Sequence, residues 1–228
     1  MKKIIYILFL LAIVSVSCTH EKIGCQGGEE AAEQGKGKGL LSLSLACDRG
    51  VETYAGDKAD YASIDTFRVE LYKKEGNNYN QVNGWPHYKD IPSTLTLEVG
   101  EYKLAAHSLD EMPKISFERP YYYGESFFAI EEGKLTGVSV RCPLANAMVG
   151  VEYTQSFKDF FTGKDYRIIV RDENRSEIVF TMEETRPVYI KPAMFSVALQ
   201  YNGKEIHTET VSSEEVFPRD YHVVTLDY

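Results

Sequence analysis

Four cysteines, Cys18, Cys25, Cys47 and Cys142, and five histidines, His20, His87, His107, His207 and His222, are the residues of this chain best suited to metal binding or nucleophilic attack. Zinc sites are built from Cys or His pairs a few residues apart. No C-x-x-C pair occurs here, and the histidines are scattered. The chain has no G-x-S-x-G, P-loop, H-E-x-x-H or dinucleotide fingerprint. Paired acids such as Glu131-Glu132, Glu183-Glu184 and Glu214-Glu215 are adjacent in sequence. Neighbours on a strand point to opposite faces, so these pairs are not expected to converge as general acid and base. The expectation is a protein that is not an enzyme and holds neither metal nor cofactor.

Aromatic residues offer a second kind of chemistry. "RPYYYGESFF" gathers Tyr121, Tyr122, Tyr123, Phe127 and Phe128. Such rings either stack against sugars or a partner chain, or alternate into a β-sheet core with Gly124 making the turn. Trp85, the only tryptophan, sits in the Gly- and Pro-broken "NGWPHYKDIP". It reads as a contact residue on a loop or edge strand, or as a lid over one end of a sandwich. Cys47 and Cys142 share the inward phase of their strands and read as a disulfide pair or as two buried thiols.

The elements that must position these residues begin with a leader. Lys2 and Lys3 precede an apolar run from Ile4 to Val14, and Ser15, Ser17 and Cys18 follow. The run is shorter than the roughly 20 apolar residues that span a bilayer and fits a secretory signal peptide, residues 1–17. "SVSC" resembles a lipoprotein cleavage box, with Ser15 where leucine is usual. The expected anchor is therefore an acyl chain on Cys18, holding the protein to a membrane. The net charge of −9 makes nucleic acid and anionic headgroups poor partners. "GCQGGEEAAEQGKGKG" has linker composition and completes a tether over residues 18–39.

From Leu40 the apolar period becomes two. "LLSLSLAC", "FRVELY", "LTLEVGEYKLAAHS" and "FFAIEEGKLTGVSVRC" alternate as half-buried strands do. The last of these reads as a hairpin turning at Glu132-Gly133. After Pro143 the pattern restarts, with hairpins around Asp172 to Ser176 and at Asn202-Gly203 and a closing strand in "DYHVVTLDY". One short helix is expected, Ser156 to Phe161, stopped by Gly163. The fold class is all-β, two tandem antiparallel β-sandwiches over residues 40–143 and 144–228. Leu43, Leu97, Leu104, Val140, Val151, Val170, Val197 and Leu199 are the predicted core.

The order "GLLSLSL", "FRVELY", "YKDIPSTLTLEVGEYKLAAHS" and "FERPYYYGESFFAIEEGKLTGVSVRCPLANAMVGVEYT" resembles the Bacteroidetes lipoprotein family known as domain of unknown function 4493. That family looks related in architecture to the fimbrillin-type proteins of the same bacteria, which have two transthyretin-like β-sandwich domains. The resemblance implies an outer-membrane lipoprotein with a structural or adhesive role, as a pilus subunit or anchor acting through β-strand complementation. It carries no active site. "THEK" after Cys18 lacks the acidic run associated with surface export, so the face of the membrane stays open. In fimbrillin-type shaft subunits an arginine-specific cut frees the first strand. Arg49 sits where such a cut would fall, and equally reads as a solvated charge in a turn. The alternative to a fibre subunit is a glycan-binding lipoprotein of a polysaccharide-uptake system, with Trp85 or Tyr121 to Tyr123 as its platform.

Overall fold

The computed structural model describes residues 37–48 and 63–228. The leader, Cys18, Cys25, Arg49 and most of the expected tether lie outside the described residues. In chain order the first strands are β1 (Lys38–Asp48), β2 (Arg68–Glu75), β3 (Asn78–Trp85), β4 (Leu95–Glu98) and β5 (Gly100–His107). They are followed by β6 (Ile115–Ser116), β7 (Tyr123–Ile130) and β8 (Leu135–Pro143). Then come β9 (Ala147–Tyr153), helix α1 (Gln155–Phe161), β10 (Tyr166–Asp172), β11 (Glu177–Phe180) and β12 (Val188–Ile190). β13 (Phe195–Tyr201), β14 (Lys204–Val211) and β15 (Tyr221–Leu226) complete the order.

The strands form two sandwiches. In the first, a sheet ordered β4-β1-β8 faces one ordered β3-β2-β5-β7. In the second, β11-β10-β13-β14 faces β15-β9-β12-β6. Each has its own apolar centre. Phe67, Val69, Leu71, Leu104, Ile130 and Val140 fill the first, and Phe157, Ile168, Val170, Phe180, Ile190 and Phe195 the second.

Local signals explain the local structure. Asn202 and Gly203, at φ 49° and 75°, make the β13–β14 turn. Positive φ at both positions is what a type I′ hairpin requires. The Asp172 carboxylate accepts the N–H groups of Asn174 and Ser176 at 2.9 and 2.7 Å, closing the β10–β11 hairpin. Thr154 caps α1 by accepting the Phe157 N–H at 3.2 Å, and Gly163 ends the segment at φ 75°. Phe157 and Phe161, one turn apart, are the buried face of α1.

Strand pairing and one strand boundary depart from the expectation. β7 and β8 flank the Glu132-Gly133 turn but lie in opposite sheets, so the segment crosses the sandwich instead of forming a hairpin. β1 pairs with β8, and β15 with β9, in parallel within otherwise antiparallel sheets. β6, from the first half of the chain, pairs with β12 in the second sandwich. β1 begins at Lys38, two residues before the expected start. Of the predicted core, Leu104, Val140, Val151, Val170 and Val197 are buried. Leu43, Leu97 and Leu199 are only partly buried, packed against the two cores.

Candidate functional site

The first strand has an unusual setting. β1 is the middle strand of its sheet. Lys38 to Leu41 pair with β4, and Leu40 to Asp48 with β8. Leu41 is 1% exposed, while Leu43, Leu45 and Cys47 pack partly buried on the first core. Beyond Leu41, no strand among the described residues pairs with the β4 side of β1. Part of that margin is met by the Tyr88 hydroxyl, which donates to the Leu43 carbonyl at 3.3 Å.

Both ends of β1 are pinned. The Gly37 N–H donates to the Glu132 carboxylate at 3.0 Å, and the Gly133 N–H donates to the Lys38 carbonyl at 2.9 Å. At the other end the Asp48 carboxylate meets Arg141 of β8 at 2.8 Å and Arg219 of the second sandwich at 3.4 Å. The Asp48 side chain is only 18% exposed, while both arginines remain open to solvent.

"CPLANA" forms the hinge between the sandwiches. Cys142 is fully buried and stands opposite Cys47 in the β1–β8 ladder. Burial pushes its thiol up to about 12, with Cys47 adding to the rise. Asn146 is also fully buried. Its side-chain oxygen accepts the Tyr121 N–H at 2.6 Å, and its NH₂ donates to the Ile190 carbonyl at 3.3 Å. Its main-chain carbonyl accepts the Arg219 N–H at 2.7 Å. One side chain thus ties the first sandwich to β12 of the second.

The aromatic cluster is divided by strand alternation. Tyr122 is 3% exposed and stacks on Phe67 within the first core. Tyr121 and Tyr123 stand on the other face, half-buried, with rings parallel to within 8° and centroids 6.5 Å apart. Phe127, on the same strand face, is 58% exposed and meets Tyr79 edge-on at 5.5 Å. The outer face of β3-β2-β5-β7 therefore carries rings interleaved with charge. The Tyr123 hydroxyl donates to Glu125 at 2.8 Å and the Tyr72 hydroxyl to Glu70 at 2.6 Å. The ammonium of Lys103 lies 4.7 Å from the Tyr72 ring centre. The Glu70 hydrogen bond raises the Tyr72 hydroxyl to about 12. Burial, reinforced by Glu125, raises that of Tyr123 further. These hydroxyls are donors at any physiological pH.

Trp85 ends the edge strand β3 and packs partly buried on the first core. The acid pairs do not converge on a site. Glu131 pairs with Lys134, Glu184 with Arg186, and Glu215 accepts the Ser212 N–H at its own turn. Among the described residues no three His, Cys, Asp or Glu are grouped to hold a metal, and no helix is long and apolar enough to cross a membrane. Tyr72, Tyr79 and Lys103 were not singled out from sequence. Each is one ordinary strand residue, and only the lateral order of β3, β2, β5 and β7 brings them beside Tyr123.

The model of the family described as domain of unknown function (DUF4493) matches residues 37–227. No curated protein matches the sequence. Among solved structures, the fold is similar to a candidate polysaccharide-binding protein (DUF1812) from Bacteroides thetaiotaomicron, at 12% identity and TM-score 0.51, covering 83% of this chain and 91% of that one. It is similar also to a candidate adhesin from Bacteroides ovatus, at 8% identity and TM-score 0.50, covering 82% and 87% of the two chains. A fimbrial assembly protein from Parabacteroides distasonis aligns at 11% identity and TM-score 0.42, covering 82% and 90%.

Proposed function

The chain belongs to the DUF4493 family, and on that footing we propose that it is a surface lipoprotein with a structural or adhesive role, held to the outer membrane through Cys18 and joined to neighbouring proteins by β-strand complementation. The observation that carries the reading is the place of β1. It is the first strand among the described residues, yet it lies between two others. Its removal would open the edge of β8 along its length, the edge of β4 opposite, and the apolar floor beneath Leu41, Leu43 and Leu45. Fully burying one leucine side chain is worth roughly 1.5–3 kcal/mol. An emptied groove is thus costly, and a partner strand with alternating apolar residues would recover both the burial and the backbone hydrogen bonds. Arg49 directly follows the last residue of β1, so a cut there would separate the strand from the rest of the sandwich. The solved structure described as a candidate adhesin, which shares the fold, supports the adhesive side of the reading.

Two forms of the chain test it. One beginning at Gly37 keeps β1 and should sediment as a monomer. One beginning at Gly50 lacks β1 and should oligomerise, or bind an added peptide of sequence KGLLSLSLACD and return to a monomer. A stable monomeric Gly50 form that ignores the peptide would overturn strand complementation.

A second reading, glycan capture, is favoured by the parallel Tyr121–Tyr123 pair on an exposed sheet face. Aromatic faces stack on the C–H faces of sugars, and the nearby Glu125, Glu70 and Lys103 could satisfy sugar hydroxyls. The solved structure described as a candidate polysaccharide-binding protein shares the fold. Screened against a panel of neutral polysaccharides, the protein should retain at least one. The double variant Tyr121→Ala, Tyr123→Ala should weaken that binding by about tenfold or more. Unchanged retention by the double variant would remove this reading.

A further inference from the structure

Cys47 and Cys142 occupy the same rung of the parallel β1–β8 ladder. Neighbouring strands run about 4.8 Å apart, inside the about 4.4–6.8 Å between Cα atoms that a disulfide spans. Both side chains lie on the inner face, where Leu41 and Leu45 of β1 and Val138 and Val140 of β8 also point. The two differ in access. Cys142 is fully buried, its Sγ 3.7 Å from the Ala106 carbonyl. Cys47 is half-buried, one residue from the end of its strand. We propose that Cys47 and Cys142 form a disulfide that staples the first strand to the last strand of the first sandwich, and that its redox state decides whether β1 can leave. The bond itself follows from the ladder register; its regulatory meaning rests on the strand-complementation reading.

The exposure difference sets the order of chemistry. The Cys47 thiolate attacks an incoming disulfide, from a small molecule or a thiol–disulfide exchange protein, forms a mixed disulfide and releases one thiol. Cys142 then gives up its proton, attacks the Cys47 sulfur and expels the second thiol. The two cysteines together lose two electrons and two protons, and the incoming disulfide leaves as two thiols. The second step is the slow one, because burial holds Cys142 protonated. It should therefore quicken as pH rises. With the bond closed, a chain cut after Arg49 keeps β1 tethered to β8. With the bond open, the same cut leaves β1 held only by contacts.

The test treats the full native chain with oxidised glutathione, quenches in acid, and maps the peptides by mass spectrometry. The expected product joins the Cys47 peptide to the Cys142 peptide. It should be absent from Cys47→Ser and from Cys142→Ala, the second variant guarding against a folding defect in the first. Closing a long loop should also raise the melting temperature by about 10 °C, reversibly with reductant. A native chain that yields no such peptide, or that pairs Cys47 with Cys18 or Cys25, overturns the staple. In a second arm, oxidised and reduced chains nicked at Arg49 are mixed with labelled KGLLSLSLACD peptide. Uptake by the reduced chain alone is the expected result, and equal uptake by both overturns the regulatory role. If the linked peptide forms but neither nicked chain takes up label, the staple stands and strand complementation fails. If no linked peptide forms and the nicked chain takes up label, the staple fails and strand complementation stands.

Discussion

Replacing Gly124 with alanine is expected to destabilise the protein by about 3 kcal/mol or more, among the largest effects of any single added methyl group. Gly124 lies buried in β7 and is not among the positive-φ glycines, so its role is not conformational freedom. It is space. A Cβ there would stand 2.0 Å from the Arg141 carbonyl oxygen, 2.8 Å from the Arg141 carbonyl carbon and 3.1 Å from the Cys142 Cα. All three are backbone atoms of β8, and none can swing aside as a flexible side chain would. Relief requires β7 and β8 to separate at the seam where the two sheets of the first sandwich meet. That motion would draw Val138, Val140 and Cys142 out of the core and disturb the β1–β8 ladder. Gly137 in β8 is the control. A Cβ there meets nothing within 4 Å, so Gly137→Ala should stay within about 1 kcal/mol of the parent and stabilise if anything. Urea denaturation of the three proteins gives the comparison. A Gly124→Ala midpoint equal to that of Gly137→Ala would show that the seam is looser than described.

Asn146→Ala is expected to cost about 2–4 kcal/mol, because it removes both side-chain hydrogen bonds of a fully buried residue and leaves a cavity. The Tyr121 N–H and the Ile190 carbonyl would lose their partners inside the protein. Asn146→Asp is the sharper probe. It keeps the oxygen that faces Tyr121 but sets an acceptor, and a charge, against the Ile190 carbonyl. A buried unpaired carboxylate makes it the worse of the two, by about 1 kcal/mol or more. The damage should be concentrated between the sandwiches. In Asn146→Ala, hydrogen exchange should rise first at the Tyr121 amide, which loses its acceptor, and next at the Arg219 amide, which the Asn146 main-chain carbonyl holds, while α1 and the β13–β14 hairpin keep their protection. Uniform loss of protection across both sandwiches would mean that Asn146 acts through global stability and not as a hinge pin.

Wherever the controlling signal is local, the structure was legible in the residues. Alternation in "FRVELY" and "FSVALQY" reflects the pleat itself, which sends successive side chains to opposite faces. Asn202-Gly203 makes its turn because those two residues tolerate positive φ. Gly163 ends the α1 segment as a left-handed stop, while the Thr154 side-chain cap was found only in the structure. Alternation divides "RPYYYGESFF", burying Tyr122 and turning Tyr121 and Tyr123 outward, but no turn falls at Gly124, which lies within β7.

Strand partnership was decided only in three dimensions. An amphipathic pattern states that one face is apolar; it does not say which strand lies alongside. The Glu132-Gly133 turn reads as a hairpin because its length and residues suit one. The chain crosses between sheets there instead, and Gly39 of β1 approaches the turn so closely that a Cβ would stand 2.2 Å from the Glu131 carbonyl oxygen. The parallel pairing of β1 with β8, the passage of β6 into the second sandwich and the gathering of Tyr72, Tyr79 and Lys103 beside Tyr123 join residues far apart in the chain. Such contacts are selected by how whole faces fill a shared core, and no spacing within a single strand records that choice.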